Sequence, residues 1–167
     1  FRKALQTEAL EIWEILKGAI ARRKADGSDQ WQNGYPNLES INLDIANDFG
    51  YVLKTKNSII GYCAIIKNYE PAYNDIDGKW LSNGDFYVVH RVAIAEEFLN
   101  KGWAKKIFVE IENVAKHNNI SSIKVDTNFD NLAMLHLLEK LNYQYCGIVM
   151  MSGAPRKAFE KILKDNF

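Results

Sequence analysis

One run of apolar residues constrains the fold more than any other segment of the chain. "FYVVHRVAIA" (Phe86–Ala95) is nearly all apolar, which is typical of a strand buried on both faces. A strand covered on both faces needs helices packed on each side of its sheet. A helical pattern of apolar residues begins soon after it, at Gly102. The segment therefore predicts a strand, a loop and a helix at the centre of a layered α/β (α+β) fold.

The remaining segments predict the order β-α-α-β-β-β-α-β-α-β. Helices are expected to start at Thr7, Asn37, Gly102 and Asp130, and "RKAFEKIL" near the end fits a strand or a helix equally well. The chain has 167 residues and 47% apolar residues, enough for a sizeable core. We expect one domain over 1–167, built on a mixed sheet flanked by helices.

Charge and cysteine content exclude some classes of protein. Lys+Arg and Asp+Glu are balanced at 21 each, which argues against a nucleic-acid partner, since phosphate binding needs a net basic face. No apolar run approaches the ~20 residues of a membrane span, and the first residues lack a signal-peptide pattern. Cys63 and Cys146 lie far apart, without metal-ligand spacing. We expect buried thiols, no metal, and a cytoplasmic protein.

"LNKGWAKKIF" (Leu99–Phe108) lies where the buried strand passes into the following helix. The first amides of a helix lack internal partners and attract anions. Gly102 permits close approach of a ligand to the backbone, and Ala104 is small. Three lysines add positive charge beside those amides: Lys101, Lys105 and Lys106. These residues alone fit either a lysine-rich helix start or a cradle for a pyrophosphate.

Two longer segments resemble the GNAT acetyltransferase superfamily. "VVHRVAIAEEFLNKGWAKKIF" is similar to its acetyl-CoA loop, Gln/Arg-x-x-Gly-x-Gly/Ala, where Gly102 and Ala104 match and Leu99 departs from the pattern. "DTNFDNLAMLHLLEKLNYQYCG" is similar to the downstream strand, helix and strand, with Asn131 matching and Asn142 in place of a glycine. Asn can also adopt the left-handed conformation of a helix C-terminus. The resemblance implies the GNAT fold, a single mixed, mostly antiparallel sheet with splayed central strands.

The resemblance also implies acetyl-CoA as the cosubstrate and a primary amine as the acceptor. The acceptor would be a small molecule or a peptide. Backbone groups of Val92, Ala93 and Ile94 would bind the pantetheine arm. Asn131 would contact the pantetheine or the phosphoadenosine end. The pyrophosphate would bind to the amides of five residues: Lys101, Gly102, Trp103, Ala104 and Lys105. Dimers are common in that family, so both a monomer and a homodimer stay open.

The catalytic groups are less clear from the sequence. His90 alternates onto the face of Val92 and Ile94 and is a candidate base, because histidine titrates near neutral pH; a structural histidine is the alternative. Arg91 points the other way and is expected to pair with a carboxylate. Leu138 occupies the position of the family's usual tyrosine acid. Tyr143, another tyrosine or water would then serve, or the chain is a non-catalytic acyl-CoA-binding sensor or regulatory module.

Two loops carry most of the remaining aromatic residues. "DQWQNGYP" (Asp29–Pro36) and "NYEPAYNDIDGKWLSNGD" (Asn68–Asp85) are polar, and long loops in compact domains are often functional. In the GNAT fold such loops flank the acceptor mouth. We therefore expect the acceptor cleft to include Trp31, Tyr35, Glu70 and Tyr73. Simple capping of the core by loop aromatics is the alternative.

Overall fold

The structure is a computed structural model that describes residues 1–164. Four α-helices lie in this part of the chain: α1 (Ala9–Ala25), α2 (Leu38–Ala46), α3 (Trp103–His117) and α4 (Leu132–Lys140). It also contains eight strands: β1 (Arg2–Lys3), β2 (Gly50–Lys54), β3 (Ile59–Lys67), β4 (Asp77–Gly78), β5 (Phe86–Ile94), β6 (Ser122–Thr127), β7 (Gln144–Met151) and β8 (Ala154–Ile162). The predicted order of elements is confirmed. The short β4 is an addition, and the segment that fitted either structure is a strand.

The strands form one mixed sheet in the order β1-β2-β3-β5-β6-β8-β7-β4. β5 and β6 pair in parallel, from Phe86 opposite Ser122 to Val89 opposite Val125. The pairs β1-β2, β2-β3, β4-β7, β6-β8 and β7-β8 are antiparallel. β5 continues to Ile94, beyond the residues that pair with β6. The mixed, mostly antiparallel sheet with flanking helices is the fold that the sequence predicted.

Contacts within the chain divide it into two compact units. The first comprises Phe1–Ile65 and His90–Glu110, and the second comprises Ile66–Val89 and the residues from Ile111 onward. The single domain over 1–167 that the sequence predicted stays a prediction. β5 and α3 each contribute to both units, because the boundaries fall within them.

The first unit has a core between its two N-terminal helices and its strands. Ile12 and Leu16 of α1 and Ile41 of α2 are fully buried in it. Gly61 of β3 is needed where backbones approach closely. A Cβ there would lie only 2.8 Å from the Ala93 carbonyl oxygen and equally close to two isoleucine side chains, Ile94 and Ile107. Glycine therefore permits β3 to pack against β5 and α3.

Helix starts agree with the sequence in part. Asn37 caps α2 as predicted, its side chain accepting a backbone N–H of the first turn. Thr7 does not cap α1, because it lies in a 3-10 turn (Gln6–Glu8) that precedes the helix. Asp130 does not cap α4 either. Its neighbour Asn131, an equally good capping residue, does so.

The second unit contains the long loop, which is folded onto a core rather than left open. Pro71–Asp75 forms a 3-10 turn within it. Glu160 of β8 is fully buried and accepts hydrogen bonds from Leu81 N (2.5 Å), Ser82 Oγ (2.5 Å) and Ser122 Oγ (2.6 Å). Because two of these donors belong to the loop, a buried carboxylate fixes its second half to the sheet.

Candidate active site

The end of β5, the turn after it and the start of α3 form the segment that the sequence singled out. Gly102 has φ +80° and is exposed. A Cβ at this position would have no heavy atom within 4 Å, so the space in front of α3 is open. The left-handed φ favours glycine, and the first amides of a 15-residue helix lie directly behind it. An anionic group such as a pyrophosphate fits these features.

The lysines around Gly102 keep positive charge at this helix start. Lys101 is exposed, and its Nζ donates to the Glu97 carbonyl oxygen (2.8 Å). Lys106 pairs with Glu110 one turn later (2.7 Å), and Lys105 is exposed. The half-buried Trp103 packs edge-on against Phe98, with ring centroids 6.4 Å apart. That contact anchors the first residue of α3 to the turn before it.

Arg91 is the unusual residue of β5. Its φ is +55°, a conformation that costs a residue with a side chain about 1–2 kcal/mol. Its guanidinium is bound by Asp44 of α2 through two hydrogen bonds, Nε to Oδ2 (2.8 Å) and Nη2 to Oδ1 (2.5 Å). The two side chains are only 9% and 5% exposed. The predicted pairing of Arg91 with a carboxylate is confirmed, although the sequence did not indicate Asp44 as the partner.

Asp44 also accepts a hydrogen bond from Tyr62 of β3, whose hydroxyl lies 2.6 Å from Oδ2. Burial and the Asp44 charge raise the pKa of Tyr62, so the phenol keeps its proton and donates it. Burial alone would lower the pKa of Arg91, but Tyr35 and Asp44 outweigh it and raise that pKa. One buried carboxylate thus ties α2, β3 and β5 together.

The other end of the same segment has a second arginine contact. The Ile94 carbonyl oxygen accepts a hydrogen bond from Arg22 Nη2 of α1 (2.9 Å). Ala95 N then donates to the Ile60 carbonyl oxygen (2.8 Å). The stretch from Val92 to Ile94 is therefore bounded by an arginine contact at each end. This is the stretch that the sequence predicted to bind the pantetheine arm.

Other predicted residues lie in the same unit. His90 is partly exposed and directly precedes Arg91 in β5. Tyr35 is 44% exposed; its hydroxyl accepts a hydrogen bond from Arg91 Nη1, and its ring centroid lies 5.8 Å from Arg91 Cζ. Trp31 is half-buried against the core and has φ +63°. Tyr35 is thus beside Arg91, the residue that precedes Val92, and has an exposed ring.

The two predicted residues of the second loop, Glu70 and Tyr73, contact groups of the protein itself. Glu70 caps the 3-10 turn, accepting the N–H of Ala72 (3.3 Å). Tyr73 is 3% exposed, and its hydroxyl donates to Asp126 Oδ1 (2.6 Å). Burial and the Asp126 charge raise the pKa of Tyr73. These are the contacts of a core-capping segment, and a role in an acceptor cleft stays a prediction for both residues.

The remaining predicted residues lie in the second unit. Asn131 has a structural role as the cap of α4. Leu138 is fully buried, and Tyr143 is 5% exposed. Burial and the Glu112 charge raise the pKa of Tyr143, so this phenol keeps its proton at neutral pH. Asn142 has φ +61°, the left-handed conformation predicted for it after α4.

Among residues 1–164, no group of His, Cys, Asp and Glu could hold a metal ion. No helix in the described part of the chain is both long enough and apolar enough to span a membrane. Cys63 and Cys146 are free thiols and buried, as predicted.

Comparison with known proteins identifies the family. The family model described as "Acetyltransferase (GNAT) family" matches residues 12–143. A GNAT-family acetyltransferase structure from Streptococcus agalactiae 2603 is 34% identical, with a TM-score of 0.89, covering 98% of this chain and 95% of that one. No curated protein matches.

Two more solved structures extend the comparison. One from Staphylococcus aureus Mu50 is 27% identical, with a TM-score of 0.74 and 98% of both chains covered. A GNAT-family acetyltransferase from Listeria monocytogenes 4b F2365 is 20% identical, with a TM-score of 0.77, covering 97% of this chain and 93% of that one, and shows the fold alone. Because the family model spans most of the sequence and the fold agrees throughout, the chain belongs to the GNAT acetyltransferase family.

Proposed function

We propose that the chain is an acetyl-CoA-dependent N-acetyltransferase that acts on a primary amine of a small molecule or peptide. One observation carries the proposal: the open space at Gly102, where exposed lysines surround the start of α3. When bound, acetyl-CoA supplies an acetyl group activated as a thioester. The free, buried Cys63 and Cys146 fit a reducing compartment, so we propose the cytoplasm as its location.

Most of the groups proposed for the cosubstrate belong to the first unit, and Asn131 belongs to the second. Backbone groups of Val92, Ala93 and Ile94 bind the pantetheine arm as an added strand would. An amide near Ile94 donates to the carbonyl oxygen of the thioester as negative charge develops on that oxygen. The backbone amides from Lys101 to Lys105 bind the pyrophosphate, helped by the lysine charges. Asn131 is proposed for the pantetheine or phosphoadenosine end.

Proton transfer and acceptor binding need further groups. We propose His90 as the base that takes the proton of the attacking amine. We propose Tyr143 as the donor to the departing thiolate; burial raises its pKa, which keeps the phenol protonated but also makes it a weaker acid. Trp31 and Tyr35 are proposed to line the acceptor side. Glu70 and Tyr73 are proposed for the same side, where Glu70 also caps a 3-10 turn and Tyr73 also binds Asp126.

Calorimetric titration with acetyl-CoA tests the proposal, with two glycine variants as a matched pair. Gly102→Glu adds bulk and negative charge to the proposed cradle and should weaken binding by at least about tenfold. Gly153→Glu is the control, because Gly153 has φ +79° and equally open space in the β7-β8 turn. Equal affinities of the two variants would contradict the cradle.

A non-catalytic acyl-CoA-binding sensor is the second candidate function. Leu138 favours it, because a fully buried leucine replaces the family's usual tyrosine acid. A thiol-release assay with a panel of amines and peptides separates the two functions. Release with any acceptor supports the enzyme, whereas tight binding without release across the panel supports the sensor.

A further inference from the structure

We propose that Asp44 is a positioning residue for the cofactor segment of β5. Through Arg91 it fixes the backbone from Val92 to Ile94 in the conformation that binds the pantetheine arm. The inference rests on the proposed function, since it assigns a role at that same site. Asp44 itself lies on α2, and its carboxylate accepts hydrogen bonds from Tyr62 of β3 and Arg91 of β5.

The backbone at Arg91 needs an external constraint. A left-handed residue with a side chain is sparsely populated and persists only where its surroundings determine it. Here it lies within β5, directly before Val92. The bidentate contact with Asp44 joins two opposite charges in a buried place and holds this side chain through two hydrogen bonds. Without it, Arg91 would relax toward an extended conformation and the following residues would shift.

Asp44 is itself held in place. Its Oδ2 accepts from both Tyr62 Oη (2.6 Å) and Arg91 Nε (2.8 Å), and its Oδ1 accepts from Arg91 Nη2. The carboxylate is 5% exposed, so water competes little for it. The donors belong to two strands, Tyr62 to β3 and Arg91 to β5, whereas Asp44 lies on a helix. The carboxylate therefore has one stable orientation. Through its bonds to Arg91 it restrains the backbone of β5.

The far end of the segment is fixed independently. Arg22 of α1 donates to the Ile94 carbonyl oxygen, and Ala95 N pairs with β3. With the Ile94 end held, a change at Arg91 must be absorbed between Val92 and Ile94. These are the residues proposed to bind the cosubstrate. Loss of Asp44 should thus disturb the cofactor segment specifically.

Glu8 provides a matched control within the same unit. It is a buried carboxylate that accepts two hydrogen bonds from one arginine, Arg2 Nη1 to Oε2 (3.0 Å) and Nη2 to Oε1 (2.7 Å). Lys54 Nζ is a further donor to it (3.0 Å). None of these residues belongs to β5 or α3. Glu8→Gln therefore removes the same chemistry from a place unconnected to the cofactor segment.

The experiment compares Asp44→Asn with Glu8→Gln, below the unfolding temperature of both. The readouts are amide hydrogen exchange of Val92–Ile94 without ligand, the calorimetric Kd of acetyl-CoA, and kcat and KM with an acceptor from the amine and peptide panel. Asp44→Asn should speed exchange, weaken acetyl-CoA at least about tenfold and lower kcat. Glu8→Gln should lower the unfolding midpoint and leave these three properties unchanged. Identical behaviour of the two variants would overturn the positioning role.

Two further results keep the inference separable from the proposed function. If wild-type protein fails to bind acetyl-CoA, the proposed function is overturned. If Asp44→Asn binds and exchanges as the wild type does, the positioning role is overturned while the function stands. Should Asp44→Asn not fold, Tyr62→Phe keeps the ion pair and removes one bond to Asp44. It should shift exchange at Val92–Ile94 in the same direction by a smaller amount, and no shift would count against the inference.

Discussion

Glu8 and Asp44 are buried carboxylates of the first unit, and each binds one arginine from a strand. Arg2, the partner of Glu8, is 43% exposed and lies on the two-residue strand β1. Arg91, the partner of Asp44, is 9% exposed and lies within β5 in a left-handed conformation. The pairing chemistry is the same in both places. The two pairs differ in the exposure of the arginine to water and in the backbone conformation of the arginine.

That difference assigns the two pairs different roles. Water reaches Arg2 and screens the charges of the Glu8 pair. The pair therefore acts as an edge contact between β1, β2 and the start of α1. The Asp44 pair is shielded on both sides and holds a strained residue next to the cofactor segment. One carboxylate therefore contributes mainly to stability, and the other also determines the path of a strand. Three predictions test this comparison.

The largest effect is expected from Asp44→Ala. Removing one partner of a buried pair leaves the Arg91 charge without compensation, which should lower the free energy of unfolding by about 3–5 kcal/mol. Glu8→Ala should cost less, because Arg2 can reach water. Guanidinium denaturation of both variants measures the difference. Equal losses would mean that the exposure of the arginine does not decide the strength of the pair.

A smaller effect is expected from Tyr62→Phe. The hydroxyl donates to a charged carboxylate (2.6 Å) inside the core, so its removal should cost about 2 kcal/mol. The arginine pair stays in place, and the unfolding free energy should fall less than in Asp44→Ala. A loss as large as that of Asp44→Ala would show that the tyrosine, not the arginine, is the main partner of the carboxylate.

The smallest effect is the pH dependence that Glu8 contributes. Hydrogen bonds from Arg2, and then from Leu5 N and Lys54, lower its pKa from 4.5 to about 2 against the opposing effect of burial. A depressed carboxylate pKa stabilises the fold above the unfolded value. This stability is lost as pH falls from about 4.5 to 2, and should amount to about 1–2 kcal/mol. In Glu8→Gln, the acid-unfolding curve should lose this component. An unchanged curve would exclude Glu8 as its source.

Much of the fold could be predicted from the sequence, because the signals are local. The apolar run of β5, the glycine before α3 and the order of elements follow from periodicity and turn residues. Asn142 was predicted to adopt a left-handed conformation after α4, and its φ of +61° agrees. Asn37 was predicted to cap α2 and does so. Each of these features depends on a few adjacent residues.

Local signals could not predict which of the two aromatic loops buries its tyrosine. Tyr35 and Tyr73 occur in similar polar, aromatic segments, yet Tyr35 is 44% exposed and Tyr73 is 3% exposed. Tyr73 is buried because the hydroxyl finds Asp126 on β6 and the ring packs against Trp80, 4.9 Å away between centroids. Its burial depends on a partner far along the chain, which no local pattern reports.

By itself the sequence determined the order of the elements, the position of the apolar strand β5 and the glycine that opens the space before α3. Only the tertiary structure decided that Asp44 is buried and binds Arg91 and Tyr62. In the sequence, Asp44 is an ordinary polar residue of a short helix. A buried charge is stable only when distant donors surround it. Those donors come from β3 and β5, and the folded chain alone brings them to one carboxylate.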